Sequence, residues 1–115
     1  MGTVLEQAKQ AQIRHLNDEF RCHGQGYGSI LMTPGIHGEG PLFVAKALSA
    51  VQSFDQFTKD NDPYGEHDFG SFDVLGKRLF FKIDCYDALR EAGSPDPANS
   101  DLTHRVLTIM LASEY

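Results

Sequence analysis

Two adjacent runs, Phe69–Leu75 and Arg78–Tyr86, constrain this chain more than anything else in it. Each is dense in β-favouring residues, and Gly76-Lys77 between them supplies a tight turn, so the pair reads as a β-hairpin. In the second run Leu79, Phe81, Ile83 and Cys85 alternate with Phe80, Lys82, Asp84 and Tyr86. Aromatics occur in both rows, so the second face of this strand is expected to be partly covered as well.

The other elements must fit around that hairpin. Thr3 followed by Glu6 makes a capping box, which predicts a helix from the N-terminus. Leu5, Ala8, Ile13, Leu16 and Phe20 fall roughly on one face of it, and Gly24, Gly26 and Gly28 stop it. Ser29–Thr33 reads as a short strand, and Pro34-Gly35 as a turn followed by a glycine-rich loop. Pro41 suits the first turn of a second helix, along which Val44, Ala47, Leu48 and Val51 form an apolar stripe. Ser100 or Asp101 caps a last predicted helix, with Leu102, Val106, Ile109 and Met110 on one side. The expected fold is α+β: a small mixed or antiparallel three-stranded sheet packed with three helices, in the order α-β-α-β-β-α. The strand-helix-strand portion suits a parallel crossover, and the hairpin adds an antiparallel pair.

Length and charge limit the function classes. A chain of 115 residues fits one domain, residues 1–115, and at that size roughly two-thirds of the unfolded surface is buried on folding. Eight Phe and no Trp predict a core built on Phe. The formal charge of −6 repels nucleic-acid phosphates, and no basic patch offsets it, so direct nucleic-acid binding is not expected. A basic protein surface is the natural partner, or the charge serves solubility alone. Cys22 and Cys85 stand far apart with no C-x-x-C pair, which suits free thiols in a reducing cytoplasm. No apolar run is long enough to span a bilayer, and the N-terminus lacks the order of a signal peptide.

The segment Phe54–Gly70 is acidic, aromatic and rich in turn formers, and Pro63 with its glycines prevents a regular helix. It crowds Asp60, Asp62, Glu66, His67 and Asp68 together beside Tyr64 and Phe69. Three readings fit. Asp60, Asn61 and Asp62 can fold back on backbone amides as turns, with Glu66, His67 and Asp68 paired to Lys82, Arg78 or Arg105. Alternatively the carboxylates and imidazole bind a divalent metal or do acid–base work, His67 acting as ligand or base and Asp62, Glu66 and Asp68 as ligands or orienters. Asp60, Asp62 and Gly65 copy the start of a calcium loop, but Tyr64 stands at a usual ligand position and no Glu follows at the twelfth place. The third reading is a partner-binding surface made of Asp60, Asp62, Tyr64, Glu66, His67, Asp68 and Phe69, with no cofactor, no metal and no catalytic residue. Gly24, Gly26 and Gly28 follow a helix rather than a strand, so they do not make a dinucleotide loop. His37 in its glycine-rich loop and His15 and His104 on helices read as ordinary polar residues.

The run Asn61–Gly70 resembles the signature of the bacterial domain-of-unknown-function family 3768. So do Lys82-Ile83-Asp84 with Tyr86-Asp87, Ser94–Pro97, Arg105–Ala112 with Glu114-Tyr115, and Ile13-Arg14 with Leu16-Asn17-Asp18. Cys85 departs from the aromatic expected there. The resemblance carries no catalytic residue. It implies a short bacterial protein of plasmids and mobile elements, a setting shared with anti-restriction and anti-CRISPR inhibitors. The expected function is thus a non-catalytic acidic protein that blocks a basic nucleic-acid-binding surface of a host defence complex. The alternatives are a small enzyme built on the Asp60–Asp68 cluster and a structural assembly component.

Overall fold

A computed structural model describes residues 2–115. Helix α1 spans Val4–His23, and its start is the expected capping box: Thr3 Oγ1 accepts from the Glu6 amide, and the Glu6 carboxylate accepts from the Thr3 amide. Strand β1 (Gly28–Met32) follows, then a one-turn helix α2 (Pro34–His37) and helix α3 (Pro41–Ser53), with Pro41 in its first turn. A long irregular segment leads to the hairpin of β2 (Phe69–Val74) and β3 (Lys77–Tyr86). Leu75 and Gly76 form its turn, both at positive φ (48° and 82°), the geometry that matches the twist of the flanking strands.

The sheet has four strands, not three, and the correction lies at the C-terminal end. His104–Leu111, expected to be helical, is strand β4. Sheet order is β1-β4-β3-β2, with β4 antiparallel to β3 and parallel to β1. The parallel neighbour of β1 is therefore β4, three strands later, rather than the first strand of the hairpin. The helical stripe misled because it took an i, i+4 spacing from a segment whose burial alternates: Arg105, Leu107 and Ile109 are buried, and Val106 and Thr108 are half-covered. Period two is the strand signature, and Val106, Thr108 and Ile109 are β-branched. Asn99, not Ser100 or Asp101, caps the 3-10 turn Ser100–Leu102, which stops before β4. The third helix of the molecule is instead α2, whose Ile36 is fully buried where a loop was expected.

All three helices cover one face of the sheet. Phe20 of α1, Ile36 of α2, and Phe43, Ala47 and Val51 of α3 join Leu79, Phe81, Ile83, Leu107 and Ile109 in one core. Phe54 and Phe81 meet edge to face at 5.3 Å, in keeping with a core built on Phe. Gly70 sits where that packing is tightest: a Cβ there would lie 2.2 Å from the Phe81 ring. No helix among the described residues is long and apolar enough to cross a membrane.

Candidate functional site

Helix α1 buries a polar face. Its buried residues are Asn17, Phe20 and Arg21, whereas Leu5 of the expected apolar stripe is exposed. Arg14, Asn17, Asp18 and Arg21 are spaced i, i+3, i+4, i+7, and they hold the acidic segment in place. Arg14 donates to Gly65 O (2.9 Å), and Asn17 Nδ2 donates to Glu66 O (2.9 Å). Asp18 accepts from Arg21 (3.1 Å) and lies 2.8 Å from His67 Nδ1. Asn17 Oδ1 also accepts from Arg105 Nε (2.7 Å), which joins α1 to β4. Both partners are buried, Asn17 to 1% and Arg105 to 3% exposure.

Within the segment the local turns are those expected of Asn and Asp. Asn61 Oδ1 accepts from the Thr58 amide, and Asn61 Nδ2 donates to Gln56 O. Asp62 is buried, and its Oδ1 accepts from the Glu66 and His67 amides at 3.1 and 3.2 Å. His67 has φ 55°, a conformation that costs energy outside glycine unless its surroundings fix it. Those surroundings are specific: its ring stacks on Phe57 at 3.8 Å, Nδ1 meets Asp18, and Nε2 lies 3.6 Å from Asp62. The Arg21 guanidinium also lies near Phe57, 5.3 Å from the ring centroid. Asp18, Arg21, Cys22, Phe57 and His67 contribute to the wall of a shallow cleft of about 340 Å³.

The seven expected partner-binding residues therefore separate into three groups. Asp62 and His67 turn inward, where they fix the backbone. Phe69 opens β2 and packs against Phe80 (5.2 Å) and Tyr115 (6.0 Å), on the sheet face away from the helices. Asp60 and Tyr64 are exposed, and Glu66 and Asp68 are half-buried. None of the ion pairs suggested for Glu66 and Asp68 forms: Lys82 pairs with Asp84, Arg78 with Asp73, and Arg105 with the Asn17 amide. Burial, first of all, raises the pKa of Glu66, with repulsion from Asp68 and Asp62 adding to it. Burial likewise raises that of Asp68; its own backbone amide opposes this, while Asp62 and Asp84 reinforce it. Cys85 lies beside them, its thiol pushed up mainly by burial against the opposing pull of Arg105. Among the described residues no group of three or more His, Cys, Asp or Glu side chains is arranged to hold a metal ion.

Asn17, Asp18 and Arg21 carry no expected role in the sequence, and Arg105, offered as a partner for the acidic cluster, bonds Asn17 and Pro97 instead. The available signal for α1 was its polar i, i+3, i+4, i+7 stripe.

A family model described as "Protein of unknown function (DUF3768)" matches residues 32–114. The chain belongs to this family. The match covers α2, α3, the acidic segment and strands β2–β4, but not α1, so the part of the resemblance placed on Ile13–Asp18 lies outside it. Neither the curated proteins nor the solved structures yielded a match.

Proposed function

We propose that this DUF3768 member is a non-catalytic acidic binding protein, acting in the cytoplasm, whose partner is a protein with a basic surface. One observation carries the reading. Glu66 and Asp68 sit half-buried on a backbone that α1 holds in place, they repel each other, and no Lys or Arg among the described residues forms an ion pair with either. A lysine or arginine from outside relieves that repulsion, and the fixed backbone spares the partner the entropy of ordering it. Tyr64, 71% exposed, supplies an aromatic anchor next to the carboxylates, and Asp60 extends the negative field. A basic nucleic-acid-binding groove of a bacterial defence complex has the surface chemistry this site complements, so the inhibitor role implied by the family setting is its most specific form.

His67 as a general base has less support. Its Nδ1 is held by Asp18 at 2.8 Å, Nε2 lies 3.6 Å from Asp62, and among the described residues no hydroxyl or thiol hydrogen-bonds to the ring.

The test is affinity capture from the native host with the wild type and with Glu66→Lys/Asp68→Lys, followed by mass spectrometry. The α1 contact is to the Glu66 carbonyl, so the variant keeps its fold, which circular dichroism verifies. Loss of a basic partner is the expected result. Undiminished capture of every partner by the double variant defeats the reading.

A further inference from the structure

Among the described residues the sheet face opposite the helices is only partly covered: Tyr115 lies against Phe69 and Phe80 and Met110 is buried, whereas Leu31 stays exposed. We propose that it binds a second copy of this chain, sheet against sheet about a twofold axis. Phe69, Phe80, Val106 and Met110 point to this side, and Leu31 of β1 lies on it 52% exposed. None belongs to the core beneath the helices. Parallel pairing is commonest in sheets covered on both faces, and the β1 side of the parallel β1–β4 pair is left open at Leu31. Tyr115 does not close the gap: its ring meets Phe80 at 5.5 Å at one end, yet it remains 76% exposed.

The charges identify the occupant. The chain carries −6 overall, so two copies repel over most of their surfaces. This face is the exception. Arg78 pairs with Asp73 at 3.0 Å and Lys82 with Asp84 at 3.2 Å, so its four ionised side chains cancel. A strongly basic or strongly acidic partner meets no net field there. A second copy turned by a twofold axis brings its own Asp84 towards Lys82 and its Lys82 towards Asp84, which a face bearing both signs permits.

The footprint is that of a small interface. β1 pairs over five residues, β2 over six, and β3 with β4 over eight. At about 3.4 Å per residue and about 4.8 Å per strand, the face has a flat area of roughly 440 Å². Side-chain relief raises its accessible area above that, and the dimer belongs at or below the ~800 Å² per partner of a standard interface.

Sedimentation velocity over a wide concentration range tests the idea, with circular dichroism as the fold check on each variant. The wild type is expected to dimerise. Lys82→Glu and Asp84→Lys each create like-charge contacts across the axis and weaken the dimer roughly tenfold or more, while the double variant recovers it. Thr108→Arg, central on the face and remote from Glu66 and Asp68, is expected to give a monomer, so failure here is separable from failure of the acidic-site reading. A wild type that stays monomeric at the highest concentration overturns the proposal. So does a dimer that Thr108→Arg leaves intact, and so does a double variant that does not recover.

Discussion

Replacing Asp62 with Ala tests whether this carboxylate serves the backbone or the surface. Its side chain is 5% exposed, and one oxygen takes both the Glu66 and the His67 amides. Hydrogen bonds to an ionised acceptor are worth about 1.5–3 kcal/mol each. Two bonds sharing one oxygen do not add fully, and the freed amides lie in a half-buried segment that water partly reaches. Removing Asp62 also lessens the repulsion felt by Glu66 and Asp68, which offsets a fraction of the loss. A net destabilisation of about 2–4 kcal/mol follows. With a slope of about 2 kcal/mol per molar urea, the middle of the range for a small domain, the unfolding midpoint falls by roughly 1–2 M. Asp62→Asn keeps an acceptor at the same place and is expected to lose less than half as much. Urea titrations followed by far-ultraviolet circular dichroism measure both. If Asp62→Ala stays within about 0.5 kcal/mol of the wild type, the two amide bonds do not hold the segment, and Asp62 returns to the list of surface groups.

The half-buried carboxylates make the pH dependence unusual in sign. With pKa values raised above the ordinary 4.5 and 3.8, the folded state holds protons on Glu66 and Asp68 more tightly than the unfolded chain does. Their ionisation therefore removes stability as pH rises through that window. Glu66→Gln/Asp68→Asn is expected to be more stable than the wild type at neutral pH, the gap closing on acidification; urea titrations at several pH values that show an unchanging gap contradict this. Affinity for a basic partner should strengthen over the same rise in pH, which titration calorimetry reads directly. Glu114 has the opposite sign: the Thr33 hydroxyl and the Leu111 and Gly35 amides lower its pKa. Glu114→Gln should thus cost stability at neutral pH and nothing well below the carboxylate range. Arg105→Met leaves the buried Asn17 and the Pro97 carbonyl without their donor, for a loss of about 2–4 kcal/mol in the same titration. Gly70→Ala drives a methyl into the Phe81 and Phe54 rings and should destabilise by about 1–3 kcal/mol; no change in melting temperature refutes that steric account.

Elements with local causes were readable in the sequence. Thr3 and Glu6 announce α1 because the capping box is closed by residues three apart, and Pro41 announces α3 because its fixed φ suits a first turn. The hairpin was readable too, though its turn falls on Leu75-Gly76, one residue before the expected Gly76-Lys77. Strand β4 was not. Flanked by β1 and β3, it is covered on one side by helices and partly on the other, so apolar residues occupy both its rows and mimic a helical stripe. The acidic segment was correctly placed as irregular structure, and its Asn61 and Asp62 turns follow from side-chain chemistry. Its inward half depends on α1, far away in sequence, and no local pattern around Pro63 specifies that Asp18 will receive His67.

That dependence bears on the proposed binding role. A surface carboxylate on a mobile loop spreads its charge and must be ordered on binding, whereas Glu66 and Asp68 sit on a backbone held at Gly65 by Arg14, at Glu66 by Asn17 and at the His67 ring by Asp18. The same rigidity keeps the two from moving apart, and it sustains the repulsion that an incoming cation relieves. The groups that impose it lie on α1, before the residues that the family model covers. Polar residues buried on α1, at Asn17 and Arg21, are otherwise an expensive choice for a helix packed on a sheet of Phe, Leu and Ile. Asn17 makes sense if the helix serves to hold a strained, charged segment in one conformation, and Arg21 because it satisfies the Val51 and Phe54 carbonyls at the end of α3, with the hydrophobic contribution left largely to Phe20.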